Sequence, residues 1–164
     1  KLTQNELIEM GANLGADVPI FIYGQSAWAE GIGEQLTPLS PPEEELLLIK
    51  PPLSISTKVI FESEHLPRNS PLFIEKVFTQ ERALNDCEPA IFHHYPKMQR
   101  YMDDLKSLGL SPYITGTGSC IYIKPPNPQQ NAELRQLARQ YNWQLIEFQT
   151  LNRSPLQEAI AALP

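Results

Sequence analysis

The sequence predicts an α+β fold in which helices cover one face of an antiparallel sheet. Short apolar runs of strand length alternate with segments whose apolar residues recur every three or four positions, as in helices. After residue 45 the predicted order is strand, helix, further helices, strand, strand, helix, strand, which is the split β-α-β order of ferredoxin-like folds. No apolar run approaches the ~20 residues that span a bilayer.

Composition limits the classes of function. The chain has 164 residues and a formal net charge of −6, so it is large enough to bury a core without disulfides. The acidic balance disfavours nucleic acids and anionic membrane surfaces as partners. Cys87 and Cys120 are too few for a disulfide scaffold, and they favour two reduced thiols in a cytoplasmic protein.

Residues 1–40 are predicted to be the end of a separate structural layer. A capping-box pattern from Thr3 to Glu6 starts a helix. The apolar run 18–23 is predicted to be a short strand, and two further strands, 27–30 and 35–39, follow it. Prolines and three consecutive glutamates then place a domain boundary near residue 40.

Residues 41–164 are predicted to form the ferredoxin-like domain. Its strands are predicted at 46–49, 112–115, 120–124 and 143–148. Three helices are predicted first: a short helix or turn within 54–62, a helix over 72–84, and one after a cap at Asn85-Asp86. Three more are predicted from Pro96, after a cap at Asn127, and after a second capping box at Ser154.

Asp17 is the first candidate for chemistry. It lies in a turn two residues after Gly15, directly before an apolar segment. A carboxylate in that place could accept a proton from a substrate hydroxyl as a general base. The alternative interpretation is an aspartate that only completes a turn or caps a helix.

The second candidate is the loop Thr115-Gly116-Thr117-Gly118-Ser119. Its two glycines allow backbone N–H groups to approach an anion closely. It is not a P-loop, since it lacks the Lys-Ser/Thr ending and no helix follows it. The alternative is a plain hairpin turn.

The third candidate pairs Phe61 with Thr57. An aromatic side chain beside a proline-bounded loop could stack on a base. The alternative is a phenylalanine of the core. His93 and His94 have no zinc spacing with the cysteines and are interpreted as a partly exposed helical pair. No metal ligand is assigned.

Several segments together resemble the 4-diphosphocytidyl-2-C-methyl-D-erythritol kinase family of the GHMP kinase superfamily. They are Leu14 to Phe21, Ala29 to Pro38, Leu66-Pro67-Arg68-Asn69, Asn85-Asp86-Cys87-Glu88 and the loop Thr115 to Ser119. They occur in the family's order. The family's N-terminal half carries a lysine and a Gly-rich ATP loop that this sequence does not contain. The resemblance therefore implies a C-terminal portion, with residues 1–40 as a remnant of the ATP-binding domain.

The resemblance also implies a reaction. The family transfers a phosphoryl group from ATP, with Mg²⁺, to the 2-hydroxyl of its substrate, in the non-mevalonate route to isoprenoid precursors. Asp17 matches the family's catalytic aspartate. Thr57 and Phe61 match substrate-side residues, with Phe61 on one face of the cytosine ring. Gly116, Thr117, Gly118 and Ser119 match the loop that supports the phosphate site.

The chain alone is expected to be inactive, and its oligomeric state is left open between monomer and homodimer. Two alternatives remain at this stage. The chain could belong to another small-molecule GHMP kinase, or it could be a non-catalytic ferredoxin-like ligand-binding module, because fold does not fix function.

Overall fold

The computed structural model describes residues 2–70 and 84–162 of the chain. The helices within these residues are α1 (Gln4–Ala12), α2 (Val18–Tyr23), α3 (Thr57–Glu62), α4 (Glu88–His94), α5 (Pro96–Ser107), α6 (Pro128–Tyr141) and α7 (Pro155–Ala161). The strands are β1 (Ala27–Glu30), β2 (Gln35–Pro38), β3 (Glu45–Lys50), β4 (Tyr113–Ile114), β5 (Ile121–Ile123) and β6 (Gln144–Gln149). The helix predicted over 72–84 lies outside the described residues, except for Leu84.

The described residues divide into two compact units. The first contains the residues up to Glu43 and those from Thr150 onward, and the second contains those from Glu44 to Gln149. The C-terminal segment therefore clusters with the first unit, which its sequence did not indicate. The assignment of residues 1–40 and 41–164 to two domains of a kinase stays a prediction.

The second unit contains a four-stranded sheet in the order β4-β5-β3-β6. Every neighbouring pair is antiparallel. If the four strands of this unit are numbered in chain order, they lie side by side as second, third, first and fourth. This is the ferredoxin-like arrangement. The predicted α+β fold with an antiparallel sheet is confirmed.

One face of this sheet forms the core with α5 and α6. Ile49 of β3 lies opposite Ile121 of β5, and both are fully buried. Met98 and Leu105 of α5 and Leu134 of α6 are also fully buried, as their helical spacing predicts. Each such side chain contributes roughly 1.5–3 kcal/mol through burial, so this layer holds the second unit together.

Two helices begin with the predicted capping residues. In α1 the Glu6 N–H donates to Thr3 Oγ1 at 3.3 Å, and the Thr3 N–H donates to the Glu6 carboxylate at 2.7 Å. In α6, Asn127 and Gln130 form the same reciprocal pair. The bonds from Thr3 lower the pKa of Glu6. Each pair satisfies N–H groups that the helix itself leaves without partners.

The prediction of a strand at residues 18–23 is wrong, because this run forms α2. Pro19 lies in its first turn, where a missing N–H is tolerated, and Gly24 ends it with a φ of 68°. A run of six apolar residues fits a buried strand and a short helix equally well. α2 packs closely on α1, since a Cβ on Gly11 would lie 2.6 Å from Ile22 Cδ1.

The C-terminal segment is held to the first unit by backbone hydrogen bonds. The Ser26 N–H donates to the Asn152 carbonyl at 2.9 Å, and the Ser154 N–H donates to the Gly24 carbonyl at 2.9 Å. The second predicted capping box differs in detail. Ser154 Oγ accepts from the Leu156 N–H, and the Gln157 side chain donates to the Ile22 carbonyl at 3.1 Å.

Candidate active site

Asp17 occupies the N-cap position of α2 in the first unit. Its side chain is exposed, and it makes no capping hydrogen bond to the helix. A capping aspartate would satisfy an N–H of the first turn with its carboxylate. The Asp17 carboxylate therefore lies at the surface, and its oxygens accept no hydrogen bond from the N–H groups of α2.

The turn between β1 and β2 packs against the residue that precedes Asp17. Gly33 has a φ of 112°, and a Cβ on it would lie 2.3 Å from the Ala16 carbonyl oxygen. A side chain there would collide with backbone, so only glycine allows this approach. The two sequence segments that resemble the kinase family most specifically, 14–21 and 29–38, therefore meet beside Asp17.

Glu34 fixes the shape of the same turn. Its carboxylate accepts from the Ile32 N–H at 2.8 Å and from Gln35 Nε2 at 3.2 Å. Hydrogen bonds from its own N–H and from the Ile32 N–H, with a smaller effect of Gln35, lower the pKa of Glu34. The carboxylate therefore fixes the turn through its bonds to Ile32 and Gln35.

The 115–119 loop, formed by Thr115 to Ser119, joins β4 to β5 in the second unit. The Thr115 N–H donates to the Cys120 carbonyl at 3.0 Å, and the Gly118 N–H donates to the Thr115 carbonyl at 3.0 Å. Gly116 and Gly118 have φ values of 55° and 81°, which favour glycine. The segment is therefore a hairpin connection with a glycine-dependent shape. Its anion-binding role stays a prediction.

The end of this loop is anchored by a side chain. Ser119 Oγ donates to the Leu53 carbonyl at 2.6 Å. A Cβ on Gly118 would lie 3.0 Å from Ile55 Cδ1, so the loop packs closely on the segment before α3.

Asn85 also contacts the loop, and the sequence did not indicate this contact. Asn85 and Asp86 are predicted to cap a helix, but the N-cap of α4 is Cys87, and none of the described side chains caps this helix. The Asn85 Oδ1 instead accepts from the Cys87 N–H at 3.0 Å, before the helix begins. Its Nδ2 donates to the carbonyls of Ile114 at 3.0 Å and Gly116 at 2.8 Å. The only sequence signal was an asparagine just before a predicted helix, which indicates a cap and not a contact with the loop.

Thr57 is the first residue of α3, and its hydroxyl lies 3.2 Å from the Thr117 hydroxyl of the loop. Phe61 lies one turn further along α3 and is 53% exposed. The interpretation of Phe61 as a core residue is therefore wrong. Residues four apart share a helix face, so Phe61 lies on the same side of α3 as Thr57, which contacts the 115–119 loop.

His93 and His94 end α4 and are exposed, as predicted for a helical pair. The His93 ring lies 3.7 Å, between centroids, from the ring of His65, which follows α3. Desolvation lowers the pKa of His93, and His65 and His94 lower it further. No group of three His, Cys, Asp or Glu side chains in the described ranges could hold a metal ion.

A groove of about 650 Å³ lies elsewhere in the second unit, against β3, β6 and α6. None of the predicted site residues lines it. Asp17, Thr57, Phe61 and Gly116 lie on exposed surface, and Thr117, Gly118 and Ser119 are half-buried, so the cavity does not identify the site.

Known proteins were compared with the chain, and no protein-family model matches it. A 4-diphosphocytidyl-2-C-methyl-D-erythritol kinase of Alcanivorax borkumensis is 37% identical over an alignment of 164 positions, which covers 97% of this chain and 54% of the relative. The kinase of the same name from Histophilus somni is 39% identical over 166 residues, covering 99% of this chain and 51% of the relative. The Haemophilus ducreyi kinase is 44% identical over 124 residues, covering 75% of this chain and 43% of the relative.

This chain is homologous to 4-diphosphocytidyl-2-C-methyl-D-erythritol kinases. The resemblance found in the sequence is confirmed. The chain spans about half the length of the curated kinases that it matches.

A solved structure supports the fold. The crystal structure of 4-(cytidine 5'-diphospho)-2C-methyl-D-erythritol kinase aligns with 87% of this chain and 56% of its own, at a TM-score of 0.67 and 23% identity. The likeness shows a fold shared with this kinase. In the part of the chain that the structure describes, no helix has the length and apolar character needed to cross a membrane.

Proposed function

We propose that this chain is the C-terminal portion of a kinase that phosphorylates the 2-hydroxyl of 4-diphosphocytidyl-2-C-methyl-D-erythritol with ATP. The observation that carries the proposal is the match of 97–99% of the chain to curated kinases of that name at 37–39% identity. The kinase would act in the cytoplasm, on the non-mevalonate route to isoprenoid precursors. Both cysteines are free thiols, which is consistent with that compartment.

Asp17 is the proposed catalytic carboxylate. It orients the acceptor hydroxyl and takes its proton while the hydroxyl oxygen forms a bond to the γ-phosphorus of ATP. The bond from that phosphorus to the oxygen bridging it to the β-phosphate breaks, and ADP leaves. Phosphoryl transfer depends mainly on positioning and on stabilisation of charge. An exposed carboxylate that caps no helix N–H is suited to this role.

Thr57 and Phe61 are proposed to hold the nucleotide part of the acceptor. Phe61 is 53% exposed on α3, so its ring is available to stack on a cytosine face. Stacking of a base on an aromatic side chain contributes about 1–3 kcal/mol. Thr57, one turn earlier, offers a hydroxyl that can donate or accept a hydrogen bond.

The 115–119 loop is proposed to support the phosphates of ATP. Its glycines shape the backbone, and Ser119 fixes its end through the bond to the Leu53 carbonyl. Mg²⁺ is expected to accompany ATP.

The chain by itself is proposed to be inactive, because the lysine and the ATP loop of the family are not in its sequence. Measuring ADP release by the purified chain tests this directly. Turnover of ATP by the chain alone would overturn it.

The test of the function joins this chain to the ATP-binding half of a curated relative. The fusion is incubated with ATP, Mg²⁺ and 4-diphosphocytidyl-2-C-methyl-D-erythritol, and ³¹P NMR follows a new phosphomonoester together with ADP. Galactose, homoserine and mevalonate serve as comparison acceptors.

The proposal expects phosphorylation of the cytidylyl substrate alone. Transfer to a comparison acceptor instead would identify another small-molecule kinase. Binding of a ligand without transfer to any acceptor, by a folded fusion, would favour the non-catalytic ligand-binding module.

A further inference from the structure

We propose that Asn85 is the positioning residue of the 115–119 loop. The inference rests on the proposed role of that loop beside ATP. Asn85 lies outside the loop, at the entrance to α4, and its side chain is half-buried.

All three hydrogen-bonding functions of the Asn85 amide are used. Nδ2 carries two N–H donors and Oδ1 is an acceptor. The donors go to the Ile114 carbonyl at 3.0 Å and the Gly116 carbonyl at 2.8 Å, and Oδ1 accepts from the Cys87 N–H at 3.0 Å. One side chain therefore links the end of β4, the start of the loop and the start of α4.

The two carbonyls flank Thr115, so Asn85 fixes the backbone where the loop leaves the sheet. Around Gly116 the described residues provide nothing within 4 Å of the position a Cβ would take. No packing contact from the described residues at the Cβ position of Gly116 thus holds this residue of the loop in place. At the other end, Gly118 lies against Ile55, and Ser119 is bonded to the Leu53 carbonyl.

The other partner of Asn85 is rigid. Ala90 and Ile91 of α4 are fully buried in the core of the second unit. The Asn85 amide therefore links the entrance of a packed helix to the start of the 115–119 loop. A loop that is ordered before its ligand arrives avoids the free-energy cost of ordering during binding.

Asn85→Asp separates the two roles of this side chain. The aspartate keeps an oxygen that can accept from the Cys87 N–H, but it loses both donors and places a charged oxygen against two carbonyls. Asn131→Asp is the matched control, because it makes the same charge change on α6. The Asn131 Oδ1 only accepts from Arg135 Nε, which an aspartate also does.

The first measurement uses the chain itself, labelled with ¹⁵N-glycine. The chain contains 8 glycines, so each gives a separable amide signal. Asn85→Asp is expected to shift or broaden the signals of Gly116 and Gly118 and to leave those of Gly11 and Gly24 in place. Asn131→Asp is expected to leave all four in place. An unchanged Gly116 signal in Asn85→Asp would overturn the inference.

The second measurement uses the active fusion. Loss of two hydrogen bonds that order the loop is expected to raise the KM for ATP about tenfold, with the KM for the alcohol substrate within about twofold. A merely destabilised protein would lose active molecules and lower kcat without this split. An equal rise in both KM values would overturn the inference.

The two measurements separate this inference from the proposed function. If the unsubstituted fusion transfers no phosphate, the function fails, and the glycine spectrum of the chain still decides whether Asn85 positions the loop. If Asn85→Asp does not fold, Asn85→Ala replaces it in both measurements, because it removes the donors without adding charge.

Discussion

The hydroxyl oxygens of Thr57 and Thr117 lie 3.2 Å apart, within hydrogen-bond distance. One belongs to the first turn of α3, which carries the proposed acceptor-binding residues, and the other to the middle of the 115–119 loop. This contact joins two parts of the candidate site through a single hydrogen bond. Removing either hydroxyl is therefore expected to remove the same bond.

Thr57→Val and Thr117→Val each remove one hydroxyl from this pair with little change of shape. Because the two hydroxyls share one bond, the losses should not add. We expect a coupling free energy of about 0.5–1 kcal/mol from urea unfolding of the two single variants and the double variant. Additive losses within error would show that the two hydroxyls are independent.

Phe61→Ala should weaken binding of the cytidylyl substrate to the fusion by about 5- to 150-fold, which corresponds to the loss of one stacked base. The affinity for ATP should stay almost unchanged. Isothermal titration of each ligand gives both values. Val59→Ala is the matched control, since Val59 is also on α3 and 38% exposed. Equal losses for both ligands would refute the stacking role.

Gly118→Ala should destabilise the chain more than Gly116→Ala. Both positions have positive φ, which costs an alanine about 1–2 kcal/mol. At Gly118 the new Cβ would also lie 3.0 Å from Ile55 Cδ1, whereas at Gly116 the described residues leave the space open. Free energies of unfolding in urea test the order of the two variants. The reverse order would mean that the loop has a different shape.

His93 should make stability depend on pH below about 6.5, its ordinary unfolded pKa. Desolvation and the neighbouring His65 and His94 lower the pKa of His93 in the folded chain. The unfolded state therefore takes up a proton first as the pH falls, and this contribution to stability decreases until the pH passes the folded pKa. Glu62 and Glu64 line a cavity with His65, His93 and His94.

Thermal unfolding between pH 8 and pH 5 measures this effect. Between pH 8 and pH 5, the melting temperature of His93→Gln should fall by less than that of the unsubstituted chain. The melting temperature at pH 8 is the baseline for each protein. Identical pH profiles for the two proteins would contradict the proposed titration of His93.

The sheet of the second unit could be predicted from sequence because its signals are local. Apolar runs such as 46–49 are the right length for strands, and the spacing of Met98, Met102 and Leu105 defines one helix face. Capping residues then mark where helices begin, as at Asn127. These signals agree with one another, so the element order already implied the ferredoxin-like sheet.

The features that sequence could not predict depend on long-range contacts. Residues 18–23 carry no period that separates a strand from a short helix, and their packing on Gly11 accompanies the helical form. The pairing of Ser26 with Asn152 joins residues far apart in the chain. The exposure of Phe61 and the second contact of Asn85 likewise depend on where other elements lie, so single-residue patterns do not report them.

The role of Asp17 is the central claim, and kcat of its Asn variant in the fusion tests it most directly. Glu9→Gln, an exposed change on α1 of the same unit, is the control. Asp17→Asn is expected to lower kcat by about 10²–10⁴-fold, the usual contribution of a general base. Both KM values should stay within about twofold, and Glu9→Gln should match the unsubstituted fusion. A kcat for Asp17→Asn close to that of the unsubstituted fusion would contradict the account.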